Sequence, residues 1–110
     1  MTGLSTLTGN VRVLNISFSK SVTVIWTVDH WVTKLDTTCE YVTGGSDGIT
    51  DKFRFHLETA GLAVGSRLHM CLRYETSEQE FWDNNGGGNY VFRVEETSEG
   101  QQEFLRDFLG

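Results

Sequence analysis

Along most of the chain, hydrophobic and polar residues alternate with a period of two. The clearest case is SVTVIWTVD, residues 21 to 29, in which β-branched residues dominate. This pattern predicts a β-strand with one apolar face. We expect four side chains to turn this face toward the core: Val22, Val24, Trp26 and Val28.

Several other runs share this period. In RLHMCLRYE, residues 67 to 75, the alternation groups Tyr74 with Leu68, Met70 and Leu72 on one face. Further strand candidates are Val11 to Phe18, Cys39 to Thr43, KFRFHLE and YVFRVEE, separated by the turn clusters GGSDG, AVGS, SEQ and NNGGG. Short strands at this spacing predict an all-β fold, an antiparallel β-sandwich or barrel.

The C-terminal stretch SEGQQEFLRDFLG departs from this period. Its apolar residues recur at i, i+1, i+4 and i+5, which is the spacing of one helix face; they are Phe104, Leu105, Phe108 and Leu109. We therefore expect a β-sandwich domain over residues 9–96 and a C-terminal tail over residues 97–110. Two alternatives stay open for the tail, a short helix that docks on the domain or on a partner, and a frayed end.

Length and charge narrow the class of protein. A chain of 110 residues suits a single domain. Its net charge of −6 and its scattered basic residues argue against nucleic acid or an anionic membrane as a partner. There is no apolar run of membrane-spanning length, and we expect neither a membrane span nor a signal peptide. Cys39 and Cys71 lie in apolar surroundings, which favours free thiols in a reducing cytoplasm over a disulfide.

The chemistry of catalysis is poorly represented. The spacing of His30, His56 and His69 matches no metal motif. The glycine-rich stretches lack the lysine and following helix of a phosphate-binding loop. Carboxylate pairs such as Asp83 with Glu80 arise readily among 15 acidic residues. We therefore expect no enzyme, no catalytic residue, no metal and no cofactor.

The stretch FWDNNGGGNY, residues 81 to 90, stands out against this background. If Phe81 packs inward, alternation sends Trp82 outward, beside two asparagines. Exposed aromatic rings flanked by amides suit sugar binding, because a pyranose stacks on the ring while amides donate to and accept from its hydroxyl groups. The alternative is structural, with Trp82 in the core and Asn84 and Asn85 at positive φ in a hairpin. The pattern alone leaves both interpretations open.

A family resemblance favours the first interpretation. FWDNNGGGNY is similar to the Trp-x-Asn-Asn-x-x-x-Asn-Tyr signature of the glycogen-targeting regulatory subunits of protein phosphatase 1. These share a starch-binding domain, carbohydrate-binding module family 21, with fungal glucoamylases. VRVLNISFSKSVTVIWTVDHW, DGITDKFRFHL and LRYET resemble three further blocks of the family, in the family's order. Together the four blocks span roughly residues 9 to 94.

The resemblance implies an immunoglobulin-like antiparallel β-sandwich of about eight strands. It also implies a non-catalytic, cytoplasmic and glycogen-associated module that binds glycogen or another α-1,4-glucan. Matching the family's motifs to this sequence residue by residue implies two sugar sites. The first consists of Trp31, Tyr74, Trp82, Asn84 and Asn89, and the second of Phe18 and Lys20. Contacts with a substrate protein such as glycogen synthase would use Asp83, Asn85 and Tyr90.

One element of the regulatory subunits is missing. They hold the phosphatase catalytic subunit through a basic-x-Val-x-Phe segment. Residues 12–15 lack its aromatic, and residues 52–55 lie in a predicted core strand. We therefore expect the phosphatase to be bound by a segment outside this chain. Two rival functions stay open, a protein-interaction sandwich that recruits glycogen synthase with little glucan affinity, and a starch-binding domain appended to an amylolytic enzyme.

Overall fold

The computed structural model describes residues 6–59, 61–94 and 101–109. These residues form nine β-strands and one short 3₁₀ turn, Asn85–Gly87. The strands are β1 Thr6–Leu14, β2 Lys20–Thr27, β3 Leu35–Thr38, β4 Glu40–Tyr41, β5 Thr50–Glu58, β6 Arg67–Thr76, β7 Glu80–Asp83, β8 Tyr90–Arg93 and β9 Gln101–Leu109. Within these residues, no helix is both long and apolar enough to cross a bilayer.

The strands form two sheets that pack face to face. One sheet has the order β4-β5-β1-β9, and the other has the order β3-β2-β6-β7, with β8 also paired to β6. Neighbouring strands are antiparallel except β1 and β9, which run parallel. The predicted all-β sandwich, antiparallel apart from this one pair, is therefore confirmed.

The core lies between the sheets and contains the predicted inner face of β2, but Thr23, Ile25 and Thr27 on the opposite face are buried as well. Val22 and Val24 of β2 are fully buried, and Trp26 packs against the same cluster. The indole N–H of Trp26 donates to Thr37 Oγ1 at 3.0 Å, which satisfies its single polar group. Cys39 and Cys71 are free and buried, and burial raises the pKa of the Cys39 thiol to about 12. The expectation of free thiols thus agrees with the structure.

Strands β7 and β8 lie end to end along one edge of β6. Residues Leu72 to Glu75 of β6 pair with β7, and residues Arg67 to Met70 pair with β8. Residues 84–89 leave the sheet between these two strands. The asparagine loop is therefore an excursion from an otherwise continuous sheet edge.

The tail is not the helix that its spacing suggested. Gln101–Leu109 forms strand β9, which pairs with β1 from Thr6 to Val13. Phe104 is buried against the core, and its neighbour Leu105 is exposed, so the two side chains point to opposite sides as in any strand. The free edge of β1 supplies backbone partners that an isolated tail lacks, and this tertiary pairing overrides the helical spacing. Residues 97–100 of the predicted tail lie outside the described residues.

Candidate functional site

The asparagines of the loop first serve to shape it. Asn84 Oδ1 accepts a hydrogen bond from the Gly87 N–H at 3.0 Å, and its carbonyl accepts from the Asn89 N–H at 2.6 Å. Asn85 Nδ2 donates to the Asn89 carbonyl at 3.0 Å. Asn85 and Asn89 adopt φ of 55° and 62°, a region that asparagine tolerates better than most residues. The loop is thus a closed, internally bonded turn.

Trp82 lies on the outer face of the sheet, at the start of this loop. Its side chain is 52% exposed, while Phe81 packs inward against Tyr74 with ring centroids 5.7 Å apart. The Arg73 guanidinium lies 5.7 Å from the indole centroid, and the indole N–H donates to Glu80 Oε1 at 2.9 Å. The outward orientation predicted for Trp82 is confirmed, and the alternative of a core tryptophan is wrong.

Tyr74 does not belong to this exposed surface. Its side chain is fully buried, and its hydroxyl donates to the Leu14 carbonyl at 2.6 Å. Tyr74 shares its face of β6 with the buried residues Leu72 and Met70. The placement of Tyr74 in the first sugar site is therefore wrong. The strand alternation grouped Tyr74 with Leu68, Met70 and Leu72, and the carry-over by motif did not use that grouping.

Trp31 borders the same outer face from the loop between β2 and β3. The half-buried Trp31 has φ of 67°, and its N–H donates to Thr27 Oγ1 at 3.1 Å. The preceding residue, His30, packs its ring 5.6 Å from that of His69. His69 and Arg73 lie on the same face of β6, four residues or about 13 Å apart at 3.3 Å per residue. His69 contacts the Trp31 loop through His30, and Arg73 contacts Trp82.

A second candidate surface is a cleft of about 480 Å³ where the segment between β1 and β2 meets β4 and β5. Its apolar walls include Phe18, which is fully exposed, and Tyr41, which is half exposed and packs edge-on against Phe53 at 5.7 Å. Polar side chains complete the lining: Asn15, Lys20, Ser46 and Asp51. The cleft therefore combines two aromatic rings with groups that donate and accept hydrogen bonds.

Lys20 holds the base of this cleft together. Its ammonium lies 2.7 Å from Asp51 Oδ2, and it donates to Asn15 Oδ1 at 2.9 Å and to the Ser17 carbonyl at 2.6 Å. These three oxygens match the three protons of an ammonium group. The hydrogen bond from Lys20 is the main cause that lowers the pKa of Asp51, against the opposing effect of burial. In this arrangement Lys20 shapes the segment that carries Phe18.

The predicted protein-contact residues divide into an exposed one and two that face inward. Asn85 is exposed, whereas the Tyr90 hydroxyl donates to Asp83 Oδ2 at 2.7 Å inside the domain. Burial tends to raise the pKa of Asp83, but hydrogen bonds from Tyr90 and Arg106 outweigh it and the pKa is lowered. Burial, with the bond to Asp83, raises the pKa of Tyr90 to about 12.

Sequence reasoning missed several residues of these surfaces. Tyr41 lies in a strand of two residues, too short for alternation to show which way its ring points. Asn15 lies three residues before Phe18 in the block VRVLNISFSKSVTVIWTVDHW, but the carry-over by motif did not include it. Arg106 and Asp83 are 23 residues apart, and only the fold brings them together.

Comparison with known proteins identifies the family. The model for the carbohydrate/starch-binding module (family 21) matches residues 2–93. The chain belongs to this family. A solved structure, the solution structure of the carbohydrate-binding module of the muscle glycogen-targeting subunit of protein phosphatase 1, superposes with a TM-score of 0.74 at 40% identity. That match covers 89% of this chain and 72% of the other.

Two curated relatives show the same similarity. The family 21 chain is 44% identical over 92 residues to human protein phosphatase 1 regulatory subunit 3A, a match that covers 82% of this chain and 8% of the relative. It is 42% identical over 88 residues to glycogen-binding subunit 76A of Drosophila melanogaster, covering 80% of this chain and 13% of that protein. The chain thus spans a small part of each relative's length.

Proposed function

We propose that this chain is a non-catalytic module that binds glycogen or a similar α-1,4-glucan. The observation that carries the proposal is the cleft at Phe18. A phenyl ring left fully in water contributes nothing to the core, and here it stands with Tyr41 above polar groups. A sugar ring offers both an apolar face and a rim of hydroxyl groups, and the cleft complements both.

The surface around Trp82 supports the same function. The exposed indole offers a flat apolar face, and Asn84 stands exposed at the rim of the neighbouring loop. Asn89 is half-buried beside it. The two surfaces are built from different strands and loops, so two branches of one particle can contact the module at once.

The expected affinity at each surface is modest. A well-placed aromatic contact adds about 0.5–1.5 kcal/mol beyond burial, and a neutral hydrogen bond adds about 1 kcal/mol net. Set against the entropy lost on association, such contacts give dissociation constants of about 1 μM to 1 mM for a short glucan. Glycogen presents many chain ends, so two weak surfaces on one module strengthen its attachment by avidity.

In a longer protein this module would place protein phosphatase 1 on glycogen in the cytoplasm. The support lies in the relatives, which are named as regulatory subunits of that phosphatase and as a glycogen-binding subunit. We propose that the phosphatase catalytic subunit binds outside residues 1–110 and that glycogen synthase is a partner. Within this chain, the exposed Asn85 is better placed for such a protein contact than Asp83 or Tyr90.

Sedimentation with glycogen tests this function. The folded chain should pellet with glycogen, and the Phe18→Ala and Trp82→Ala variants should each pellet less. Leu105→Ala is the matched control, because Leu105 is an exposed large apolar residue on β9 and belongs to neither surface. Loss of sedimentation in the control, or its persistence in a Phe18→Ala, Trp82→Ala double variant, would contradict the proposal.

A further inference from the structure

Strand β9 contacts the residue that precedes the asparagine loop, although β9 lies beyond the family match. The family model ends at residue 93, and β9 spans Gln101–Leu109. Arg106 of this strand points its guanidinium at Asp83, with Nε 2.6 Å from Oδ2. Arg106, which lies outside the family-matched region, therefore contacts Asp83, the residue immediately before the asparagine loop.

Asp83 joins both ends of the loop to β9. Its Oδ2 accepts from Arg106 Nε and, at 2.7 Å, from the hydroxyl of Tyr90, the residue that follows the loop. Its Oδ1 accepts from the Asn85 N–H at 3.2 Å, inside the loop. The Asp83 side chain is 10% exposed and that of Arg106 is 37% exposed, so the pair is shielded from bulk water on the carboxylate side. Hydrogen bonds to charged groups are the stronger kind.

The loop itself supplies little to hold its position. Its 3₁₀ turn buries no side chain, and Asn85, Gly86, Gly87 and Asn89 all adopt positive φ. Packing acts at the ends instead: Phe104 of β9 packs edge-on against Tyr90, with ring centroids 4.9 Å apart. The direction in which the loop leaves the sheet is thus set where Asp83 and Tyr90 meet β9.

We propose that Arg106 is a positioning residue for the Trp82 surface, acting through Asp83 and Tyr90. The glucan-binding unit then extends through β9 rather than ending at the family match. This inference rests on the proposed function for the identity of the ligand. Arg106 does not contact the sugar; it fixes the loop so that Trp82 and Asn84 are presented together before the ligand arrives.

The two surfaces of the molecule provide the test. Binding of a linear malto-oligosaccharide of about seven glucoses is measured for the Trp82 surface in a Phe18→Ala background, and for the Phe18 cleft in a Trp82→Ala background. Arg106→Gln, which shortens the side chain and removes the charge, should weaken the Trp82 surface about tenfold and leave the cleft unchanged. Arg106→Lys should recover part of the loss, and Leu105→Ala should match the parent.

Amide hydrogen exchange keeps this inference separate from the proposed function. The Gly87 and Asn89 N–H groups bond to Asn84 within the loop, and Arg106→Gln should speed their exchange while core amides of β2 stay protected. If the parent chain binds no glucan at Trp82, the proposed function fails there, and the exchange rates still decide the role of Arg106.

Two results would overturn the inference. One is unchanged loop exchange and unchanged affinity in Arg106→Gln. The other is an equal loss at both surfaces, which would indicate a general effect on the fold. Should Arg106→Gln not fold, Tyr90→Phe tests the same relay from its other side, because it removes the hydroxyl donor to Asp83 and keeps the ring that packs on Phe104. Unchanged loop exchange and unchanged affinity in Tyr90→Phe would then overturn the inference.

Discussion

Lys20 Nζ lies 2.7 Å from Asp51 Oδ2, and their side chains are only 9% and 5% exposed. This ion pair lies at the base of the Phe18 cleft, where the Lys20 ammonium neutralises the Asp51 carboxylate. Because Lys20 also bonds Asn15 and Ser17, it ties the segment that presents Phe18 to strand β5.

Breaking this pair should destabilise the fold. Lys20→Met leaves the Asp51 carboxylate without its cation, and we expect a loss of about 3 kcal/mol in the free energy of unfolding. Denaturation in urea measures it. In a double-mutant cycle, adding Asp51→Asn to Lys20→Met should destabilise less than the two single changes summed. Strict additivity would show that the two side chains do not interact in solution.

The carboxylates make stability depend on acid pH. The pKa values of Asp51 and Asp83 are lowered in the fold, chiefly by Lys20 for Asp51 and, against burial, by Tyr90 and Arg106 for Asp83. Below about pH 4 the unfolded chain therefore binds more protons than the folded one. The stabilisation is fully present above that pH and is lost as the pH falls through the lowered pKa values.

Urea midpoints at pH 7, 5, 4 and 3 measure this dependence. We expect little change between pH 7 and 5 from these two groups and a steep fall below pH 4. Asp51→Asn removes one titrating group and should flatten the fall, although the variant is less stable at pH 7. An equally steep fall of the urea midpoint in this variant would show that Asp51 does not contribute to the pH dependence of stability.

The two tryptophans on strands should respond in opposite ways to truncation. Trp26→Ala opens a cavity against the core and should reduce the free energy of unfolding by about 3 kcal/mol. Trp82→Ala removes an exposed ring and should leave stability nearly unchanged while weakening glucan binding about tenfold. Thermal unfolding and glucan titration of both variants check this, and the reverse result would contradict the assignment of their faces.

Strand β1 has one position with no room for a side chain. A Cβ at Gly9 would meet the ring of Phe55 and lie 3.0 Å from the Phe104 carbonyl. We therefore expect Gly9→Ala to lower the free energy of unfolding by about 2 kcal/mol. Gly88→Ala is the matched control, since nothing lies within 4 Å of a Cβ there. Equal stability of the two variants would show that β1 is packed less closely than the structure indicates.

The sequence predicted those features that depend on local pattern. Alternation assigned Val22, Val24 and Trp26 to the core. It left the orientation of Trp82 open, and the family resemblance favoured the surface. Alternation also grouped Tyr74 with Leu68, Met70 and Leu72, a face that is buried in the structure, whereas the family motif placed Tyr74 in the sugar site. Where strand period and motif disagreed, the strand period was correct, because a side chain's face is set by the pleat.

The features that escaped prediction depend on long-range pairing. Nothing local reveals that β9 completes the edge of β1, or that Arg106 meets Asp83 across the fold. The Phe18 cleft likewise needs Tyr41 and Asp51 from two other strands. Only the tertiary structure brings such partners together, and contacts between distant residues produce no repeating hydrophobic pattern in the sequence.

Calorimetric titration with a linear malto-oligosaccharide of about seven glucoses tests the central claim most directly. The account predicts saturable heat with a dissociation constant of about 1 μM to 1 mM, reduced in Phe18→Ala and in Trp82→Ala, lost in the double variant and retained in Leu105→Ala. The absence of heat with the folded parent chain would contradict glucan binding, and glycogen synthase would then be the next titrant.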